Sequence, residues 1–190
     1  VLWHCKALLL QNEIPEAVNI AAAGAARLRG ARVVLNAAPA RAMSPALLDL
    51  VDVLIVNRVE AAMLSGHQDD MESAIRALGN GQRDVILTRG GDGLLLLSRD
   101  GGLLHMAALP VTLVSSHGAG DCFCGALAAR LAAGDDLRQA CRYAATAAGV
   151  FVSTAENGSS GIDDATIRLR MTAMPEARQI VPGKAAPGSN

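Results

Sequence analysis

Short apolar runs alternate with amphipathic stretches along the chain, and the two periods assign its elements. Residues 5–10, Cys-Lys-Ala-Leu-Leu-Leu, read as a first strand. Glu13-Ile14-Pro15-Glu16 follows, where a proline in the first turn and acids at the positive end of the dipole mark a helix start. That helix runs to about Leu28 and stops at Gly30. Arg32-Val33-Val34-Leu35 is a second strand ending at Asn36. Beyond a loop holding Pro39, Pro45 opens a short helix, and residues 53–56 form a third strand that delivers Asn57 at its carboxyl end. Helical spacing covers residues 58–64 and 71–78, and residues 84–88 form a fourth strand.

The second half changes pattern. Residues 94–98 and 103–107 flank Arg99-Asp100-Gly101-Gly102, a turn composition that accepts positive φ, so they read as a hairpin. A strand-like run at residues 111–114 leads into Ser115-Ser116-His117-Gly118-Ala119-Gly120-Asp121, after which Phe123, Leu127 and Leu131 repeat along one face of an amphipathic helix. A second helix carries Leu137, Cys141, Ala144, Ala148 and Val152 as a stripe of mostly small side chains, and residues 165–171 form a weaker one. The order predicts an α/β domain over residues 1–172: a largely parallel sheet with helices on both faces and an antiparallel hairpin at one edge. Residues 173–190 read as a polar C-terminal tail, mobile in its Pro/Gly-rich end.

Composition narrows the function classes. At 190 residues and 51% hydrophobic content the chain makes one domain with a core large enough to need no disulfide or metal staple. Aromatics are 2%, too few for a base-stacking surface, and a net charge of -1 gives no general attraction for nucleic acid or anionic lipid. No apolar run approaches the ~20 residues of a membrane span. Four cysteines without paired motifs, and no signal-peptide pattern, favour a reducing cytoplasm. The first residue is Val, so the chain is expected to begin inside a longer protein.

Four segments carry candidate chemistry. Gly118-Ala119-Gly120-Asp121 opens a helix, so its amides form an anion site; a carboxylate repels phosphate, so Asp121 fits a proton acceptor for a hydroxyl better than a phosphate ligand. Read alone, an ordinary glycine turn explains it equally well. Asn57 and Glu60 share one helical face, where Glu60 would hold a hydrated Mg²⁺ and Asn57 reach a phosphate oxygen; an N-terminal capping box accounts for the same pair. Thr88-Arg89-Gly90-Gly91-Asp92-Gly93 offers a hydroxyl, a cation and free amides, or simply a glycine loop opening the hairpin. Glu13 is either a helix-capping acid or a grip for a sugar hydroxyl at a strand end. Cys122 and Cys124 read as buried small residues rather than reactive thiols, and His4, His67, His105 and His117 lack metal-ligand spacing.

In this order the segments resemble the C-terminal portion of the ribokinase-like, or PfkB, carbohydrate kinases. The likeness covers about Leu8 to Val152 and is most specific in Gly118-Ala119-Gly120-Asp121-Cys122-Phe123-Cys124-Gly125-Ala126-Leu127. It implies that Asp121 is the general base for a primary sugar hydroxyl attacking the γ-phosphate of ATP, with Gly118, Ala119 and Gly120 as the anion hole. It further implies that Asn57 and the loop of Thr88, Arg89, Gly90, Gly91, Asp92 and Gly93 hold the nucleotide, that Glu60 with Asn57 organises Mg²⁺, and that Glu13 binds the sugar. The implied reaction phosphorylates a ribose-like sugar, D-ribose giving ribose 5-phosphate. The alternative is a non-catalytic nucleotide-binding remnant.

The departures are specific. The family's N-terminal half, with its Gly-Gly sugar motif and small β-sheet lid, has no counterpart in the sequence, so the implied partners are a homodimer mate or a separate lid-bearing chain. Ser115 and His117 precede the signature, and residues 151–160 diverge, which predicts weak or absent K⁺ activation. Ala37 stands where the family usually has Pro. A dinucleotide-binding oxidoreductase is excluded, because Gln11-Asn12-Glu13-Ile14 follows the first strand in place of a GxGxxG turn.

Overall fold

The structure, a computed structural model, describes residues 4–154 and 162–181. β1 (Ala7–Gln11), β2 (Arg32–Asn36), β3 (Val53–Asn57) and β4 (Asp84–Thr88) lie side by side in chain order and run parallel. β5 (Leu94–Leu97), β6 (Leu103–Met106) and β7 (Arg178–Gln179) extend the sheet antiparallel, giving seven strands in the order β1 to β7. Gln11 pairs with Asn36 and Asn57 with Thr88, so the carboxyl ends of the parallel strands finish along one rim.

The connections between parallel strands are α1 (Glu16–Arg27), α2 (Pro45–Leu48), α3 (Arg58–Ser65) and α4 (Met71–Gly79). They share one core with Val33, Leu35, Leu54, Val56, Val85 and Leu87 from the sheet, filled by Ala23, Ala26, Leu47, Ala74 and Ile75. The alternate strand residues Val34, Val53, Ile55 and Ile86 point the other way, onto Phe123, Leu127, Cys141 and Ala144 of α5 (Ala119–Ala133) and α6 (Leu137–Val152). Both sheet faces are thus covered, which is why the strands read as continuous apolar runs instead of alternating ones. Burying each Leu or Ile side chain contributes about 1.5–3 kcal/mol, so a polar substitution at Leu54 or Ile86 would open one of these cores. α7 (Asp164–Met171) packs beside α6, where Arg168 and Arg130 stack on the Tyr143 ring and the Tyr143 hydroxyl donates to Asp164.

The helix starts follow from their caps. Ser44 Oγ accepts from the Leu47 amide ahead of α2, Asp70 Oδ1 from those of Glu72 and Ser73 ahead of α4, and Asp136 Oδ1 from that of Gln139 ahead of α6.

Three expectations are corrected. Residues 111–114 form no strand: β7 occupies the edge of β6, and the Val114 and Ser115 amides donate instead to the Val152 carbonyl at the end of α6. Leu113 and Val114 are accordingly exposed. α5 buries the expected Phe123, Leu127 and Leu131, yet its outer face carries Gly125, Ala129 and Ala133 in place of charges, so its amphipathic contrast is slight. The tail does not begin at residue 173, because Met174 is buried against Leu109 and Val150, and Arg178–Gln179 joins the sheet. Residues 182–190 and 155–161, including part of the divergent stretch tied to K⁺, lie outside the described residues.

Candidate active site

The α5 start is built by glycine. Gly118 caps the helix at φ 77°, a left-handed conformation, and a Cβ there would lie 3.3 Å from the Phe151 ring. The Ala119 amide donates to the Ser116 carbonyl at 3.3 Å, leaving the next first-turn amides, those of Gly120 and Asp121, without an intrahelical acceptor at the positive end of a fifteen-residue helix. Asp121 occupies the third helical position with its side chain exposed.

Facing it is the start of α3. Asn57 Oδ1 accepts from the Glu60 amide at 2.9 Å, while the Asn57 backbone and side-chain amides donate to the two Glu60 carboxylate oxygens at 2.8 Å each. The capping box weighed from the sequence therefore forms in full, and Glu60 is 7% exposed. β4 brings Thr88 alongside through its register with Asn57, with Thr88 Oγ1 3.4 Å from the Val56 carbonyl.

These groups converge on one cavity of about 200 Å³, lined by Asn57, Glu60, Thr88, Gly118, Ala119, Gly120 and Asp121. Asn36, Ala38, Ile55, Val56, Ser116, Phe123 and Cys124 complete the lining. A larger depression of about 660 Å³ lies beside α3 and is lined by Arg58 and Arg89 with Val59 and Met63; it does not contain Asp121. Glu13, Gly90, Gly91, Asp92 and Gly93 sit on the same rim but do not line the smaller cavity, and the Arg89 guanidinium folds back onto the Asp92 carbonyl at 2.9 Å. Gly93 is required by close approach, since a Cβ would fall 2.0 Å from the Met106 carbonyl oxygen.

Asn36 and Ser116 were not singled out from the sequence. Asn36 had the same signal as Asn57, a polar residue ending a buried strand at the carboxyl rim. Cys124 is buried at the cavity wall, and its thiol is pushed up to about 12 by burial first, then by Asp121 and Glu60. Cys124 is the buried small residue the sequence reading expected; Cys122, read the same way, is only half-buried, and burial raises its thiol too. Asn12 was missed as well. Its backbone and side-chain amides donate to the three successive carbonyls of Ala38, Ala37 and Pro39 at 2.9–3.3 Å, tying the end of β1 to the loop after β2.

The residues fit a hydrated Mg²⁺ arriving with a nucleotide. The carboxylate oxygens of Glu60 and the amide oxygens of Asn36 and Asn57 are hard donors on one cavity, the ligand type Mg²⁺ takes while keeping several waters. Among the described residues no cluster of three or more His, Cys, Asp and Glu would hold a metal by itself.

A sheet of this order between two helical layers, with a helix start whose first amides are open facing two strand-end motifs, defines a ribokinase-like α/β domain. Residues 2–164 match the family described as pfkB family carbohydrate kinase, and the chain belongs to that family. Ribokinase of Haemophilus influenzae is 33% identical over 151 residues, covering 77% of this chain and 49% of the relative. Ribokinase of Schizosaccharomyces pombe is 33% identical over 165 residues, covering 82% and 52%. The structure of Arabidopsis thaliana ribokinase complexed with ribose and ATP superposes with a TM-score of 0.79 at 26% identity, over 87% of this chain and 55% of that one. The chain thus spans about half the length of the curated relatives it matches. Among the described residues no helix is long and apolar enough to cross a membrane.

Proposed function

We propose that this chain is the nucleotide-binding half of an ATP-dependent sugar kinase, transferring the γ-phosphate to the primary hydroxyl of a ribose-like sugar, D-ribose giving ribose 5-phosphate. The observation that carries this reading is Asp121 on the same small cavity as the α5 amides and the Asn57–Glu60 turn. A carboxylate beside an anion hole accepts the proton of an attacking hydroxyl while the amides take the charge that grows on the transferred phosphoryl group. Thr88 and the glycine loop flank the nucleotide, and Glu13, on the same rim, grips a sugar hydroxyl. Mg²⁺, when bound with ATP, neutralises phosphate charge. Glu60 and Asn57 hold its waters while remaining hydrogen-bonded to each other.

A second reading is favoured by the half-length coverage of the relatives and by β1, which has a hydrogen-bonded neighbour only in β2 among the described residues. In it the chain binds nucleotide and turns over only with a lid-bearing segment or partner that covers the β1 side. Two measurements on the same chain separate the readings: Mg-ATP binding, and ADP release from Mg-ATP with pentoses, hexoses and nucleosides. Turnover that depends on a pentose supports the first reading; nucleotide binding without turnover supports the second; absence of both overturns them.

A further inference from the structure

The loop that follows β4 is held from three sides through one residue, Asp92. Its carboxylate forms an ion pair with Arg58, in the first turn of α3. Its carbonyl oxygen takes Arg89 Nη2 at 2.9 Å and lies 3.1 Å from His105 Nε2 on β6. Its amide closes the turn by donating to the Arg89 carbonyl at 3.2 Å. Arg58 and Arg89 line one depression with Asp92 beside them; burial is the main cause that lowers the Arg89 guanidinium, the Asp92 carboxylate opposes it, and Arg58 adds a smaller repulsion.

The position of the Arg58 contact gives it a consequence beyond stability. Arg58 directly follows Asn57, whose side chain is locked to Glu60, and Asp92 lies inside the Thr88–Gly93 loop; the ion pair crosses 34 residues of sequence to join them. We infer that Arg58 is a positioning residue whose pairing with Asp92 straps the glycine loop to the Asn57–Glu60 turn, so that the two receive a Mg-nucleotide as one preformed unit. This rests on the nucleotide-binding reading above. It adds a role for Arg58, a residue outside the motif positions that define that reading. Both side chains are more than half exposed, so the pair adds little to global stability, and its effect falls on the ordering cost of binding.

The test measures the affinity of the 190-residue chain for a fluorescent ATP analogue with Mg²⁺, in wild type, Arg58→Ala, Asp92→Ala and the double variant Arg58→Asp/Asp92→Arg. Each single change should weaken binding about two- to five-fold while moving the melting temperature by no more than about 4 °C, and the reversed pair should recover wild-type affinity. Single variants that bind like wild type, or a reversed pair no better than the single variants, overturn the strap. If wild type itself binds no nucleotide, the nucleotide reading falls. The strap is then judged by amide hydrogen exchange at Gly90, Gly91 and Gly93: faster exchange in Arg58→Ala retains it, and an unchanged rate overturns it.

Discussion

Asn57 and Glu60 close on each other through three hydrogen bonds of 2.8–2.9 Å, one of them side chain to side chain, at the point where β3 becomes α3. The capping and metal roles weighed from the sequence are therefore not exclusive. A carboxylate held by two amide donors keeps further lone pairs for the waters of a hydrated cation.

Glu60→Gln separates the two roles. Glutamine keeps one oxygen to accept from the Asn57 backbone amide and gives up the second acceptance, from the Asn57 side-chain amide, whereas Glu60→Ala loses both and leaves only the Asn57 Oδ1 cap on the residue-60 amide, at a cost of about 1 kcal/mol. Glu60→Gln should melt between Glu60→Ala and wild type yet, like Glu60→Ala, need several-fold more Mg²⁺ for half-maximal nucleotide binding. A Mg²⁺ titration that does not move assigns Glu60 to the cap alone.

Two glycines should rank in a definite order. Gly118→Ala forces a side chain into a left-handed conformation and brings it to 3.3 Å from the Phe151 ring, costing about 1–2 kcal/mol. Gly93→Ala would set a Cβ 2.0 Å from a backbone oxygen, which no side-chain motion relieves. Thermal melts should therefore place Gly93→Ala well below Gly118→Ala, and the reverse order contradicts the geometry.

Asn12→Ala removes both side-chain donors to the Ala37 and Pro39 carbonyls and leaves a buried gap. A loss of about 1–3 kcal/mol is expected from denaturant unfolding. A smaller change would mean that water replaces the amide.

The Cys124 thiol is raised by burial to about 12, so the folded state favours its neutral form. That stabilisation is complete below the unfolded value near 9 and is lost as pH rises through about 12. Unfolding free energy should fall across that window, less steeply in Cys124→Ala, and iodoacetamide at neutral pH should leave Cys124 and Cys141 unlabelled in the native chain. Labelling of Cys124 before unfolding contradicts its burial.

Much of this was legible in the sequence because it is local. Buried parallel strands are short apolar runs, and β2, β3 and β4 appear as such; Asp121 is marked by glycines before an apolar helical stripe. The rest depends on contacts distant along the chain. β7 is two exposed residues with no apolar pattern, and it pairs with β6 only because Met174 and its neighbours fold back. The run at residues 111–114 has strand composition, but the edge it would need is taken. Asn36 and Ser116 reach the cavity from separate elements, and the Arg58–Asp92 pair joins positions that no local spacing connects.

The central claim is that Asp121 takes the proton of a sugar hydroxyl. The most direct measurement compares wild type with Asp121→Asn, a change that keeps shape and removes basicity, for both Mg-ATP binding and sugar-dependent ADP release. The account predicts similar nucleotide affinity and a rate lower by on the order of 10³-fold in the variant. Sugar-dependent turnover that survives the change would contradict it.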